Sequence, residues 1–189
     1  MWKFRASVLV VVVLMASSAF AEPTRIRDVI YGRKFGTALT MDVIKPEKQS
    51  GIAVVVMVSG GFTSDHAWTD GMFAGNTFKA LLEHGDTLFL VVHGSQPKYV
   101  VAEINQDIAR AIRFIRSNAG EYGVDPNRLG ITGGSSGGYL SLMAGTSGKD
   151  GDPKAKDPVD RASSKIQAVG CFFPPTMVRK GGFSISLSR

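Results

Sequence analysis

Hydrophobic positions along the chain alternate between short apolar runs and longer amphipathic stretches. The segments Ile52 to Val58 and Thr87 to His93 are almost continuously apolar, which is typical of central strands covered on both faces. Residues Ala38 to Ile44 alternate apolar and polar side chains, so together with Val29 to Tyr31 they predict a leading hairpin. Strands separated by helical stretches predict an α/β chain with a largely parallel sheet wrapped by helices.

Two helices and a sixth strand are predicted around these runs. Phe73 to His84 predicts a helix that ends at Gly85. Val100 to Asn118 is strongly amphipathic, because its apolar residues recur at helical spacing on one face. Those residues are Val101, Ile104, Ile108, Ala111, Ile112 and Ile115. The apolar run Ile166 to Phe173 predicts the sixth strand, with Cys171 as a buried structural thiol.

A glycine-rich turn joins the predicted strand Leu129 to Thr132 to the apolar start of another helix. Its residues 133–137, Gly-Gly-Ser-Ser-Gly, fit G-x-S-x-G, the nucleophile elbow of α/β-hydrolases. There, Ser135 would project its hydroxyl toward a substrate carbonyl, while Gly133 and Gly137 let strand and helix approach closely. A second frame would make Ser136 the nucleophile. We favour Ser135 because the turn then closes directly after the strand, and the apolar flanks argue against a simple Gly/Ser linker.

A second glycine turn, at residues 59–62, follows the predicted strand that ends at Val58. Alpha/beta-hydrolases place a backbone donor for the oxyanion of acyl transfer in this loop, and the other donor is the N–H after the nucleophile. The predicted donors are Gly61 or Phe62, together with Ser136. The following loop, Thr63 to Asp70, would overhang the site. Its Trp68 could stack on a substrate or only pack the loop.

The first 21 residues have the three parts of a secretory signal peptide. Lys3 and Arg5 form a basic start, Val8 to Met15 is an apolar run, and residues 19–21, Ala-Phe-Ala, match a cleavage site. The apolar run is shorter than the ~20 residues that span a membrane, so no stable membrane anchor is predicted. We therefore predict cleavage after Ala21 and a periplasmic or secreted protein.

Charge and composition exclude several classes of function. Removing Lys3 and Arg5 lowers the formal net charge from +6 to +4, and the remaining basic residues form no run. Nucleic-acid binding is therefore not predicted. The chain has three histidines and one cysteine without a recognisable zinc-ligand spacing, and neither a metal nor an organic cofactor is predicted.

Three stretches carry a resemblance to a known family. Residues 54–61, 109–116 and 130–143 resemble secreted bacterial α/β-hydrolases of the acetyl-esterase and feruloyl/acetyl-xylan-esterase-like type. Ser59 stands where many relatives have histidine, which is compatible with an oxyanion hole made of backbone groups. The resemblance implies a secreted serine hydrolase that cleaves a small-molecule or carbohydrate-linked ester.

The order of catalytic residues departs from this family. An α/β-hydrolase triad runs Ser, then acid, then His, but no histidine follows Ser135. Four acids do follow it, and they are expected in a solvated loop away from the site: Asp150, Asp152, Asp157 and Asp160. Of the earlier histidines, His84 is expected at a helix C-terminus, and His93 is expected to be a satisfied structural residue.

The change of character after Thr176 divides the chain into three predicted parts. These are a signal peptide (1–21), an incomplete α/β-hydrolase domain (22–176) that lacks the last strands, and a basic, serine-rich tail (177–189) that looks non-native. In this interpretation the sixth strand would be an exposed apolar edge. The alternative functions are a catalytically dead fragment or a non-enzymatic binding module on the same fold. A partner chain that supplies the missing base is a further possibility.

Overall fold

Six strands form one sheet in the order β1-β2-β4-β3-β5-β6 in the computed structural model, which describes residues 22–176. The strands are β1 (Thr24–Lys34), β2 (Thr37–Lys45), β3 (Ala53–Met57), β4 (Thr87–Val91), β5 (Leu129–Gly134) and β6 (Ala168–Phe172). β1 and β2 form the predicted antiparallel hairpin, and β2 pairs antiparallel with β4. The other three pairings are parallel, so β2 alone runs against the remaining described strands. The predicted signal peptide and tail lie outside the described residues.

Five α-helices and one short 3-10 helix connect the strands. They are α1 (His66–Ala74), α2 (Lys79–His84), α3 (Val101–Ser117), α4 (Ala119–Tyr122), α5 (Ser136–Ser147) and the 3-10 helix Pro158–Arg161. The prediction of one helix from Phe73 to His84 is wrong, and so is the prediction that Thr63 to Asp70 is all loop, because α1 already begins at His66. Gly75 caps α1, and Asn76 has a φ of 52°, which the right-handed helix cannot accommodate. The predicted helix end at Gly85 is confirmed, with a φ of 99° at that cap.

The sheet is covered on both faces, as the apolar strand runs predict. Alternate residues of each strand point to opposite faces. One face packs against α3, α4 and α5 through Val55, Met57, Phe89, Val91, Ile104, Ile108, Ile112, Ile115, Ile131 and Leu140. The other face packs against α1 and α2 through Ile44, Val56, Val58, Leu88, Leu90, Met72, Phe73, Phe78, Leu81 and Leu82.

The sixth strand forms one edge of the sheet. β6 pairs only with β5 among the described strands, and most of its residues are exposed, including Val169 and Phe172. The prediction of an exposed apolar edge strand is therefore confirmed for the described residues. The prediction that Cys171 is a buried thiol is wrong: the residue is half-buried, because an edge strand lacks a neighbour on one side.

The parallel strands bring three loops to one edge of the sheet. β3, β4 and β5 run in the same direction, so the segments that follow Met57, Val91 and Gly134 all leave from their carboxyl ends. Open α/β sheets bind ligands at this edge. Within residues 22–176, none of the helices is long and apolar enough to cross a membrane.

Candidate functional site

The turn between β5 and α5 holds Ser135 in an unusual backbone conformation. Its φ is 54° and its ψ is −125°, a combination that residues with a Cβ atom rarely adopt. The Ser135 N–H donates to the Phe172 carbonyl oxygen at 3.0 Å, and the Ser135 carbonyl accepts from Tyr139 N–H at 3.0 Å. Ser135 is exposed, and no described residue hydrogen-bonds its hydroxyl. The turn therefore presents this hydroxyl toward solvent.

Glycine is required on both sides of the turn because β3, β5 and α5 meet there. A Cβ atom on Gly133 would lie 2.6 Å from the Gly137 carbonyl carbon, and one on Gly137 would lie 2.9 Å from the Met57 carbonyl oxygen. Both distances are shorter than Cβ atoms tolerate. The spacing of glycines that predicts the elbow thus corresponds to real steric contacts in the structure.

The neighbouring Ser136 has a different environment. It is the first residue of α5, it is 2% exposed, and its hydroxyl lies 3.0 Å from the Ser59 hydroxyl. This contact joins the loop after β3 to the elbow. Of the two serines, only Ser135 exposes its side chain to solvent.

The loop after β3 lies directly beside the elbow. Gly61 and Phe62 have φ values of 58° and 61°, and neither N–H donates to any residue between 22 and 176. The Phe62 ring is buried and meets the Tyr139 ring edge-to-face at 5.5 Å between centroids. Trp68 packs on Gly60, where a Cβ atom would lie 3.0 Å from the indole, yet it remains 40% exposed.

Hydrogen bonds from the segment after β4 hold this loop in place. Ser64 N–H donates to the Ser95 hydroxyl at 2.9 Å, and the Ser64 hydroxyl donates to the Val58 carbonyl. Gln96 N–H donates to the Phe62 carbonyl at 3.1 Å. With the Phe62 carbonyl fixed in this way, the free N–H groups of the loop have a defined orientation.

His93 is buried behind this loop, with only 4% of its surface exposed. Its Nδ1–H donates to the Gly94 carbonyl at 2.8 Å, so Nε2 is an acceptor, and it has no partner among residues 22–176. Burial lowers the pKa of His93 to about 4, because the charged imidazolium would lose its hydration. The predicted role of a satisfied structural histidine therefore holds for Nδ1 and not for Nε2.

The other two histidines make polar contacts away from Ser135. His84 ends α2, as predicted, and its Nδ1 lies 2.8 Å from an Asp86 oxygen. His66 Nε2 lies 2.7 Å from the Thr40 hydroxyl. Within the described part of the chain, no histidine forms a hydrogen bond with Ser135.

Two carboxylates and His66 form a group that offers metal-ligand atoms. Asp28 Oδ1 lies 3.4 Å from His66 Nε2, and Asp42 Oδ1 lies 3.7 Å from Nδ1. The buried Asp42, however, already pairs with the Arg25 guanidinium at 2.5 Å. The arginine thus supplies the positive charge that a cation would otherwise bring.

The four acids that follow the elbow helix are engaged elsewhere. Asp150 pairs with Lys165 at 2.8 Å, whereas Asp157 and Asp160 pair with Arg110 of α3 at 2.7 and 3.2 Å. The fourth, Asp152, accepts a backbone N–H in the same segment. All four lie between the end of α5 and the start of β6, as predicted, and none contacts a histidine among the described residues.

The model of the BD-FAE family matches residues 41–182, which is most of the chain. The chain belongs to the BD-FAE family. Its fold is the α/β-hydrolase fold, and the described residues form a part of that fold. This confirms the predicted fold class.

Similar proteins include esterases of known sequence or structure. The BD-FAE chain is 30% identical over 152 residues to the probable carboxylic ester hydrolase LipM of Mycobacterium tuberculosis, covering 77% of this chain. A truncated form of a carbohydrate esterase from gut microbiota has a TM-score of 0.64 and 25% identity over 80% of the chain. An acetyl ester-xyloside bifunctional hydrolase from Caldicellulosiruptor lactoaceticus has a TM-score of 0.64 and 24% identity over 84% of the chain.

The chain is shorter than these proteins. It covers 33% of the length of LipM, and 57% and 59% of the two solved structures.

Several contacts of the candidate site cannot be predicted from the sequence pattern. The Ser59–Ser136 hydroxyl contact joins residues 77 positions apart, and the Phe172 carbonyl reaches Ser135 N–H from β6. The buried Nε2 of His93 was also not predicted. The only sequence signal for these contacts is that each residue stands at the end of a predicted parallel strand, where residues distant in sequence meet.

Proposed function

We propose that the chain is a carboxylic ester hydrolase that acts through an acyl-enzyme on Ser135. The observation that carries the proposal is the exposed, strained Ser135 in a turn that adjoins a loop with two free N–H groups. The carboxylic ester hydrolase and esterase names of the relatives support the reaction class.

In the proposed reaction the Ser135 hydroxyl oxygen attacks the ester carbonyl carbon. The carbonyl oxygen becomes an oxyanion, which would accept hydrogen bonds from the backbone N–H of Ser136 and of Gly61 or Phe62. Collapse of this intermediate breaks the bond to the alkoxy oxygen, which takes up the proton that the serine hydroxyl has lost and leaves as the alcohol, so that an acyl-serine remains. Water then attacks the acyl group, which leaves as the carboxylic acid, and the Ser135 hydroxyl is regenerated.

The proton of the Ser135 hydroxyl has no basic acceptor among residues 22–176. With only the backbone donors and substrate binding in place, serine hydrolases retain a rate enhancement on the order of 10³ over water. The same observation favours a second candidate function, a non-enzymatic module that binds the ester without cleaving it. The two candidates differ in whether Ser135 is reactive.

We further propose that the substrate is a small-molecule or carbohydrate-linked ester and that export of the protein is followed by cleavage between Ala21 and Glu22. The carbohydrate esterase among the similar structures supports the substrate class. Mass spectrometry of the extracytoplasmic protein tests the export, because it should find Glu22 at the N-terminus. A protein that retains Met1 would contradict the proposed cleavage.

A fluorophosphonate probe and short p-nitrophenyl esters test the function. We expect covalent labelling and slow hydrolysis by the full chain, and loss of both in Ser135→Ala. Ser136→Ala is the matched control and should retain both activities, because its hydroxyl faces Ser59. Full activity in Ser135→Ala with loss in Ser136→Ala would overturn the assignment. Ester binding without labelling would support the binding module instead.

A further inference from the structure

We propose that the tip of the β1–β2 hairpin and the segment before α3 form a binding surface for a glycan that carries uronic-acid carboxylates. This hairpin-tip patch consists of the exposed Phe35 and Lys98 and of the buried Tyr99 beneath them. The proposal rests on the proposed function for its use, because the glycan would carry the ester that Ser135 attacks. The binding itself needs no catalysis and can be measured separately.

Phe35 is displayed at a position that disfavours it. Phe35 and Gly36 form the hairpin turn with φ values of 44° and 74°. Such two-residue turns favour Asn-Gly, and a bulky residue at positive φ is strained. Burial does not compensate for this strain, because Phe35 is 76% exposed. Neither turn geometry nor core packing therefore explains an aromatic ring here.

The ring is supported from one side by a fixed tyrosine. Phe35 and Tyr99 stack with 6.5 Å between centroids and 22° between planes. Tyr99 is 4% exposed, and its hydroxyl lies 2.7 Å from the Thr37 hydroxyl. Because its support is held in this way, Phe35 can offer a flat apolar surface with little loss of conformational freedom on binding. The apolar C–H face of a pyranose ring matches such a surface.

Lys98 adds a positive charge beside the same tyrosine. Its ammonium lies 5.2 Å from the Tyr99 centroid and 3.1 Å from the Thr37 hydroxyl. Among residues 22–176 no carboxylate lies within ion-pair distance of Lys98, whereas the nearby Lys34 is paired with Asp107 at 2.6 Å. An exposed ammonium without a counter-charge complements a carboxylate on the ligand. Stacking and charge together fit a uronic acid better than a neutral sugar.

The segment that carries Lys98 also contacts the candidate site. Gln96, two residues before Lys98, donates its N–H to the carbonyl of Phe62 in the loop beside the elbow. The hairpin tip and Ser135 lie at the same edge of the sheet, because Met41 of β2 pairs with Val91 at the end of β4. Three strand spacings separate β2 from β5, which is roughly 14 Å across the sheet, and the hairpin tip extends six residues beyond Met41, which is roughly 20 Å along the strand. Only an extended substrate of several sugar units could therefore contact the patch and the elbow together.

Binding to polygalacturonate tests the proposal in the full chain carrying Ser135→Ala, with a linear xylan free of uronic acid as the neutral comparison. We expect isothermal titration calorimetry to detect polygalacturonate binding that weakens with salt. Lys98→Gln should weaken it about tenfold and reduce the salt dependence. Phe35→Asn should weaken it about fivefold without lowering the Tm, because asparagine suits the turn. Lys154→Gln, an exposed lysine in the loop before β6, is the charge-matched control.

Three results would overturn the proposal. The first is that Lys98→Gln and Lys154→Gln weaken polygalacturonate binding equally. The second is that xylan and polygalacturonate bind equally well. The third is that the protein binds phosphatidylglycerol vesicles and does not bind polygalacturonate. The last would assign the exposed Phe35 to a membrane surface. Probe labelling of the chain with an intact Ser135 separates the two proposals. Labelling without glycan binding contradicts only the patch, and glycan binding without labelling contradicts only the proposed hydrolysis.

Discussion

Replacing Ser135 by glycine should stabilise the protein while it abolishes any ester hydrolysis. The dihedral angles of Ser135, 54° and −125°, fall in a region that is accessible essentially only to glycine. Its side chain is exposed and makes no hydrogen bond to a described residue, so glycine loses no packing. The backbone bonds to Phe172 and Tyr139 are unaffected by the change.

The size of the gain follows from two opposing contributions. Relief of strain at such a residue is worth ~1–3 kcal/mol. The greater conformational freedom of glycine in the unfolded chain offsets ~0.5–1 kcal/mol of this stabilisation. The net gain is ~1 kcal/mol, and in a domain of this size we expect a rise in Tm of about 2–4 °C.

Ser135→Ala is the matched control, because alanine also removes the hydroxyl but keeps the Cβ atom. Both variants should lose fluorophosphonate labelling, and only Ser135→Gly should gain stability. Differential scanning calorimetry of the three proteins measures the difference. Equal Tm values for Ser135→Gly and Ser135→Ala would refute the backbone strain at Ser135. A lower Tm for Ser135→Gly than for Ser135→Ala would show that the turn is not held in this conformation.

Three further changes test the surroundings of the site. Gly133→Ala should lower the free energy of unfolding by about 1–3 kcal/mol in urea titrations, because its Cβ would lie 2.6 Å from Gly137. Gly120→Ala is the control and should not lower it, because no atom lies within 4 Å of a Cβ at that position. Burial lowers the pKa of His93 to about 4, whereas the same side chain in the unfolded chain titrates near 6.5. Between these two pH values the unfolded chain therefore binds more protons than the folded chain, and about 3 kcal/mol of stability should be lost as the pH falls from 6.5 to 4. In urea titrations at each pH, His93→Gln should lose less stability between pH 6.5 and 4 than the unmodified protein. An equal loss in both proteins would contradict the low pKa of His93. Trp68→Ala should change KM for p-nitrophenyl esters if the 40% exposed indole contacts substrate, and an unchanged KM would restrict it to packing against Gly60.

The sequence alone was sufficient for the central features of the fold. The apolar runs of β3 and β4 predict buried strands, because a strand covered on both faces has no polar side to show. The position of the glycine turn is likewise predicted from the sequence, because β5, the turn and α5 are adjacent in the chain. Steric demands at Gly133 and Gly137 are local, and local demands leave a signature in a short window of sequence.

The sequence pattern does not predict the break between α1 and α2, although Gly75 and Asn76, at which the helix ends, are both present in the sequence. Both residues can occur within a helix, and whether they end it depends on how the chain packs on the sheet. The same limit applies to Cys171. An apolar run predicts burial, but only the strand order reveals that β6 lies at the edge.

The tertiary structure alone decided which polar groups meet. Ser59 and Ser136, Gln96 and Phe62, and Phe35 and Tyr99 are brought together by the parallel arrangement of strands far apart in sequence. No periodicity connects such residues, because their contacts depend on strand order. The sequence therefore determined the elbow and the buried strands, whereas the environment of Ser135, the unpartnered Nε2 of His93 and the hairpin-tip patch were decided by long-range packing.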